Sequence, residues 1–280
     1  MVMSLLSEAE VKRVADKLPA APRLLVELGQ LMNARHTEQD EIVAVLRQDP
    51  LLVSQLIRSA NSAFYAPPEP VGSIERAVGL IGFAEVHRVV GAVAALQLGD
   101  QTMRLYPIDG AKLRVNALFV AVLMEELAKP AGERPRSCYT VGLLRTIGMM
   151  ALERLAPADS AIPPFVQSGE TALDVWEQKN WGVTNVEAAE KILLHWRLPH
   201  ETVTAIRHHY HPAGRHNPLT HLLTLAAAAA ADRFYCIPGE ESYWKPTAEN
   251  FAKAGLRERD FQLACETAQR KYEQLKVVVA

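Results

Sequence analysis

Histidine is the residue through which this sequence would do chemistry. Seven of its nine histidines fall between residues 195 and 221: His195, His200, His208, His209, His211, His216 and His221. Imidazole titrates near neutral pH and ligates zinc, copper, iron and nickel. His208 and His211 are three residues apart, so on one helix they would share a face and present a surface zinc or nickel site. Two imidazoles without an acidic partner bind weakly, and a solvated, partly protonated helix end explains the cluster as well. A pH-sensing role is chemically open. Other chemistry is missing. Cys138, Cys236 and Cys265 lie far apart with no C-x-x-C, which points to reduced thiols rather than a thiolate zinc site or a disulfide frame. There is no G-x-x-x-x-G-K-[ST] loop and no G-x-S-x-G elbow. Trp176, Trp181 and Trp196 fall on expected helices or their ends, where they read as core or interface anchors rather than base-stacking platforms.

The elements that must position these residues are helical. No segment shows the sustained two-residue alternation of a half-buried strand. Leu18-Pro19 and Ala21-Pro22 open a helix over Arg23–Met32. Thr37 is placed to cap the next helix, with Asp40 and Glu41 facing its dipole. Asp49-Pro50 starts another, which ends around Asn61-Ser62. Ser73 caps a short helix through Leu80, Gly82 closes it as a left-handed residue, and Phe83–Leu98 follows. Gly99–Gly110 is a turn-rich boundary. Helices are then expected over Ala111–Ala128, Tyr139–Leu155, Thr171–Gln178, Thr184 to Trp196 (a Thr184-x-x-Glu187 capping box), from Pro199 to Pro212, and over Leu219–Phe234, with two more in Ala248–Lys276. Pro157–Pro164 reads as a loop.

Composition bounds the class. The chain has 280 residues, 49% hydrophobic and 22% charged, with a net charge of -2. That is globular, large enough for a sizeable core, and short of the Lys/Arg surplus that nucleic-acid or anionic-membrane binding needs. The opening MVMSLLSEAEVKR lacks a signal-peptide run. The longest apolar runs, Val89–Leu98 and Leu222–Ala231, are half of the roughly 20 residues that span a bilayer. The expectation is a cytoplasmic protein with no membrane helix.

Three segments resemble one family. LPAAPRLLVEL is similar to the opening of HD-related output (HDOD) domains. RQDPLLVSQLIRSANSAFY resembles their DPxLxxxLLxxxNSxxY helix, and VGSIERAVGLIGFAEVHRVV the helix pair that follows. The matched residues are Leu18, Pro19, Pro22, Asp49, Pro50, Asn61, Ser62, Ser73, Ile74, Ala77, Leu80, Gly82 and Phe83. Each also has a plain structural role: Asp49 and Ser73 as caps, Pro50 as a helix start, Gly82 as a stop, Asn61 and Ser62 bonding local backbone. The resemblance implies an all-α, HD-domain-like fold in two lobes: an HDOD domain over 10–235, with lobes of about 10–105 and 111–235, and a helical extension over 236–280.

The same resemblance implies a degenerate metal site. HD phosphohydrolases, to which the family is related, converge histidines and aspartates from several helices on one or two metal ions. Where their signature reads GLLHDIG, this chain has Gly142-Leu143-Leu144-Arg145-Thr146-Ile147-Gly148, with Arg145 and Thr146 for His and Asp. A guanidinium has no lone pair to donate and repels a cation. Val115 or Asn116 stands at the first histidine and Asn185 at a later one. In AIRHHYHP, one register keeps His209 and replaces its neighbour by Tyr210; a shift by one residue matches His208-His209. Asp232 matches the final aspartate. The expectation is no catalytic residues, no metal and no cofactor: a bacterial signal-transduction output module that binds a protein partner, with a second copy of itself an open alternative. The cleft around Arg145, His209, Tyr210 and Asp232 would hold a partner helix or an anion, since arginine suits carboxylate and phosphate. Two rivals stand beside it: a divergent phosphohydrolase using His208, His209, His211 and Asp232, and a nucleotide or nucleic-acid sensor.

Overall fold

The structure, a computed structural model, describes residues 6–34, 36–100, 103–156, 161–166 and 171–279, with side chains to 275. Every regular element among them is an α-helix, in agreement with the all-α expectation. The first residues of the opening segment, and residues 157–160 of the expected loop, lie outside the described ones.

The first five helices are α1 (Glu8–Ala15), α2 (Ala20–Asn33), α3 (Gln39–Leu46), α4 (Pro50–Ala60) and α5 (Ile74–Gly99). Their starts are set by local chemistry. Asp49 accepts from the Leu51 amide with Pro50 in the first turn, and Ser73 accepts from Arg76. Thr37 does not cap α3: its hydroxyl donates to the Leu31 carbonyl, and Glu38 forms the capping box with Glu41 instead. Gly82 takes φ 77° and ψ 159°, outside helical geometry, so α5 is two helices joined across a kink at the glycine where the first was expected to close, a conformation that glycine adopts without a Cβ penalty. Asn61 ties down the proline-rich loop. Its amide donates to Ile57 and Val71 carbonyls (3.0 and 2.8 Å) and its oxygen accepts from Val71 N (2.8 Å).

Next come α6 (Gly110–Ala128), α7 (Pro135–Leu144), α8 (Ile147–Leu155), α9 (Leu173–Trp181), α10 (Asn185–His195), α11 (His200–His208), α12 (Pro218–Arg233), α13 (Ala248–Lys253) and α14 (Glu258–Val279). The expected single helix over Tyr139–Leu155 is two, broken at Arg145-Thr146. Its glycines explain why. A Cβ on Gly142 would lie 2.8 Å from Ala121 Cα on α6, and one on Gly148 would lie 1.8 Å from the Asn185 carbonyl oxygen. Each half is pulled onto a different neighbour, and the chain turns between them. The His208–His211 pairing fails for a similar reason: α11 ends at His208, so the two rings share no helix face.

One hydrophobic core runs from Leu6 to Leu275, and α14 packs across α6, where Phe119, Phe234 and Tyr272 meet. Among the described residues α5 alone is long and apolar enough to cross a membrane, but 61% of its most apolar window is buried inside the fold. It is a core helix whose polar residues break the runs visible in sequence.

Candidate functional site

The α7–α8 break carries the site. It turns Arg145 inward until it is 2% exposed. Its Nη1 donates to both carboxylate oxygens of Glu240 at 2.7 and 2.9 Å, and its Nη2 donates to Asn116 Oδ1 at 2.8 Å. Asn116, from α6, donates in turn to the Tyr235 carbonyl at 2.7 Å. Tyr210, just past α11, donates its hydroxyl to Glu240 at 2.5 Å. The guanidinium also lies 5.5 Å from the Trp244 ring centroid. Glu240, Tyr243 and Trp244 all come from a strap that follows α12, after the turn at Pro238-Gly239 (Gly239 φ 90°).

His209 sits beside this pair, its ring centroid 4.1 Å from that of Tyr210 and 5.9 Å from that of Trp244. Its Nδ1 lies 2.7 Å from the Ile206 carbonyl, which makes Nδ1 the protonated nitrogen. Burial, and then the charge of Arg145, hold its pKa well below the usual imidazole range. The ring is therefore neutral at physiological pH.

A second buried acid lies next to it. Glu177 on α9 accepts from Tyr106 Oη at 2.9 Å, from the Asn185 amide N at 2.7 Å and from Asn185 Nδ2 at 3.0 Å to each oxygen. Trp176 and Trp181 pack on Tyr106. Desolvation outweighs these donors and pushes the carboxyl up to about 8, so it is largely protonated at pH 7. Asn185 Oδ1 has no hydrogen-bond partner, so a turn of this amide would let it accept the carboxyl proton.

The expected residues are thus only partly brought together. Asn116, Arg145, Thr146, Asn185, His209 and Tyr210 are all buried. Val115 is half-buried against the core, which leaves Asn116 as the inward residue of the two. His208 is half-buried and outside the network. Asp232 is exposed on α12, so it does not line the cleft; the strap supplies Glu240 in its stead. His195, His200, His211 and His216 are exposed, and His221 is buried between Asn250 and the Arg215 carbonyl.

A divalent metal does not fit this arrangement. A guanidinium stands where the ligand set needs imidazole, and its neighbour Thr146 carries no carboxylate. Among the described residues no three His, Cys, Asp or Glu side chains group as metal ligands. Buried polar atoms here that lack a hydrogen-bond partner among the described residues include Arg145 Nε, Thr146 Oγ1, Asn185 Oδ1 and His209 Nε2. Sequence reasoning missed Glu240, Glu177, Tyr106 and Trp244. A carboxylate set between Trp176 and Trp181 was a readable sign of Glu177; Glu240 lies in no motif.

The HDOD domain family model matches residues 18–212, and the chain belongs to that family. An uncharacterized protein of Treponema pallidum (strain Nichols) is 26% identical over 246 residues, covering 81% of this chain and 44% of the relative; the chain thus spans less than half of that relative's length. Two solved structures share the fold at TM-score 0.67: a "Putative phosphohydrolase" from Shewanella amazonensis SB2B (23% identity, 97% of this chain, 98% of that one) and an HDOD domain protein from Geobacter sulfurreducens (18%, 97% and 97%). A "Putative signal transduction protein" from Marinobacter aquaeolei VT8 matches at 0.61 (22%, 94% of this chain, 58% of that one).

Proposed function

We propose that the chain is a non-catalytic output module of signal transduction that works by binding a protein partner. The observation that supports this reading most is the Arg145–Glu240 pair. It fills the position where relatives of the fold would gather metal ligands, and it balances the charge of the arginine from within the chain. The anion that Arg145 was expected to seek outside is supplied by the strap. The HDOD family membership, and the signal-transduction name carried by one protein of the same fold, point the same way.

The test is metal content and turnover in one preparation. Untagged protein purified without chelator should hold far less than one iron, manganese or zinc per chain, and should not hydrolyse nucleotide phosphates with added Mn2+ or Mg2+. Near-stoichiometric metal, or turnover that Arg145→Ala or His209→Ala abolishes, would overturn the reading.

A further inference from the structure

A cleft of about 550 Å3 opens between the α1–α2 turn and the C-terminal end of α10, far in sequence from Glu240 and independent of the partner-binding reading. Its size is that of small-molecule sites. Pro19 and the small exposed part of Trp196 line it as apolar surface, Arg23 and Arg197 bring positive charge from two elements, and His195 lies beside them. Arg23 and Arg197 make no ion pair among the described residues. A second hollow of about 450 Å3 continues past Pro19 and Ala20, lined by Lys17 and Arg154. The carboxylate there, Asp100, is already held by Arg114 at 2.9 Å.

Arg197 is the informative residue. It has φ 61°, just beyond the end of α10, where Leu198 N bonds the Leu193 carbonyl at 3.0 Å to close the helix. Glycine takes that left-handed position without cost, and any other residue strains it. The strain is locked in: Gln30 Nε2 donates to the Arg197 carbonyl at 2.9 Å. A strained non-glycine residue held by its surroundings is a signature of functional sites. Here the residue used is one whose planar guanidinium matches phosphate.

We infer that this cleft binds a nucleoside phosphate. Arg197 and Arg23 take the phosphate, Trp196 and Pro19 offer the apolar wall for a base, and the carboxylates of Asp16 and Glu27, which also line the cleft, accept from ribose hydroxyls or base amino groups. Simple anions would be repelled by those two carboxylates, which is why a phosphate carrying hydroxyl donors is favoured over inorganic phosphate.

The experiment is a thermal-shift and calorimetric titration of the full chain with AMP, GMP, ATP and inorganic phosphate, repeated on Arg197→Gly and Arg23→Ala. At least one nucleotide at saturation should raise the wild-type midpoint by about 2–4 °C, and both variants should lose the shift. Arg197→Gly separates binding from folding. Relief of strain should keep its unliganded midpoint at or above the wild-type value while the nucleotide shift disappears. No shift with any nucleotide, a shift kept in both variants, or an equal shift from inorganic phosphate alone would overturn the assignment.

Discussion

Arg145 and Glu240, 95 residues apart, form a bidentate ion pair of 2.7 and 2.9 Å in which both side chains are 1% exposed. Such a pair contributes little net stability, because removing two charges from water costs about what their attraction returns. Breaking it is another matter, since the survivor is left buried and uncompensated. Glu240→Ala should therefore destabilise the protein by about 3–5 kcal/mol. Replacing both residues by methionine should restore most of that loss. A urea-denaturation double-mutant cycle measures the coupling, and a purely additive cycle would contradict the pairing.

Glu177 gives stability a specific pH dependence. Its carboxyl is pushed from 4.5 to about 8 by burial. Between those values the folded chain binds more protons than the unfolded one, so stability must fall as pH rises through this window and level off above it. Glu177→Gln should flatten the profile between about pH 5 and 8 and stabilise the protein most at the alkaline end. Chemical denaturation at several pH values checks this, and a slope unchanged in the variant would count against a protonated Glu177.

Histidine 87 acts in the opposite sense. Burial lowers its pKa from 6.5 to about 3, and it packs against Tyr139 with centroids 5.6 Å apart. Below pH 6.5 the unfolded chain takes up the proton first, so this contribution is present above 6.5 and is lost as pH falls toward 3. His209 adds to the same trend through its own lowered pKa. NMR titration should show both rings neutral throughout the stable range, and a protonated ring at about pH 6 would contradict it.

Gly148→Ala should be severely destabilising, by about 3 kcal/mol or more, because the new methyl meets the Asn185 backbone carbonyl and not a flexible side chain. The same substitution at Gly72, where a Cβ meets nothing within 4 Å, is the control. Thermal melts of the two variants compare them directly.

Asn61→Ala removes three hydrogen bonds, two of them to Val71 across the loop, and should cost about 1–3 kcal/mol. Limited proteolysis should then cut between residues 62 and 70 faster than in the parent. Equal cutting rates would mean that the prolines alone hold the loop.

What the sequence determined by itself is the helical class and most helix starts. Asp49-Pro50, Ser73 and the Thr184–Glu187 capping box act over three or four residues, and local rules read such distances. It also showed that Arg145 and Thr146 offer no imidazole or carboxylate to a metal, because that follows from which atoms a side chain carries. Tertiary structure alone decided what Arg145 does instead. Its partner lies on a strap outside the matched family segment, and no local pattern encodes a contact across 95 residues. The same holds for Asp232, which matched by order and faces solvent, and for Glu177, whose proton is set by the burial of its carboxyl in the packed core. Caps and ligand types are properties of neighbouring atoms along the chain; burial and charge pairing are properties of the packed whole.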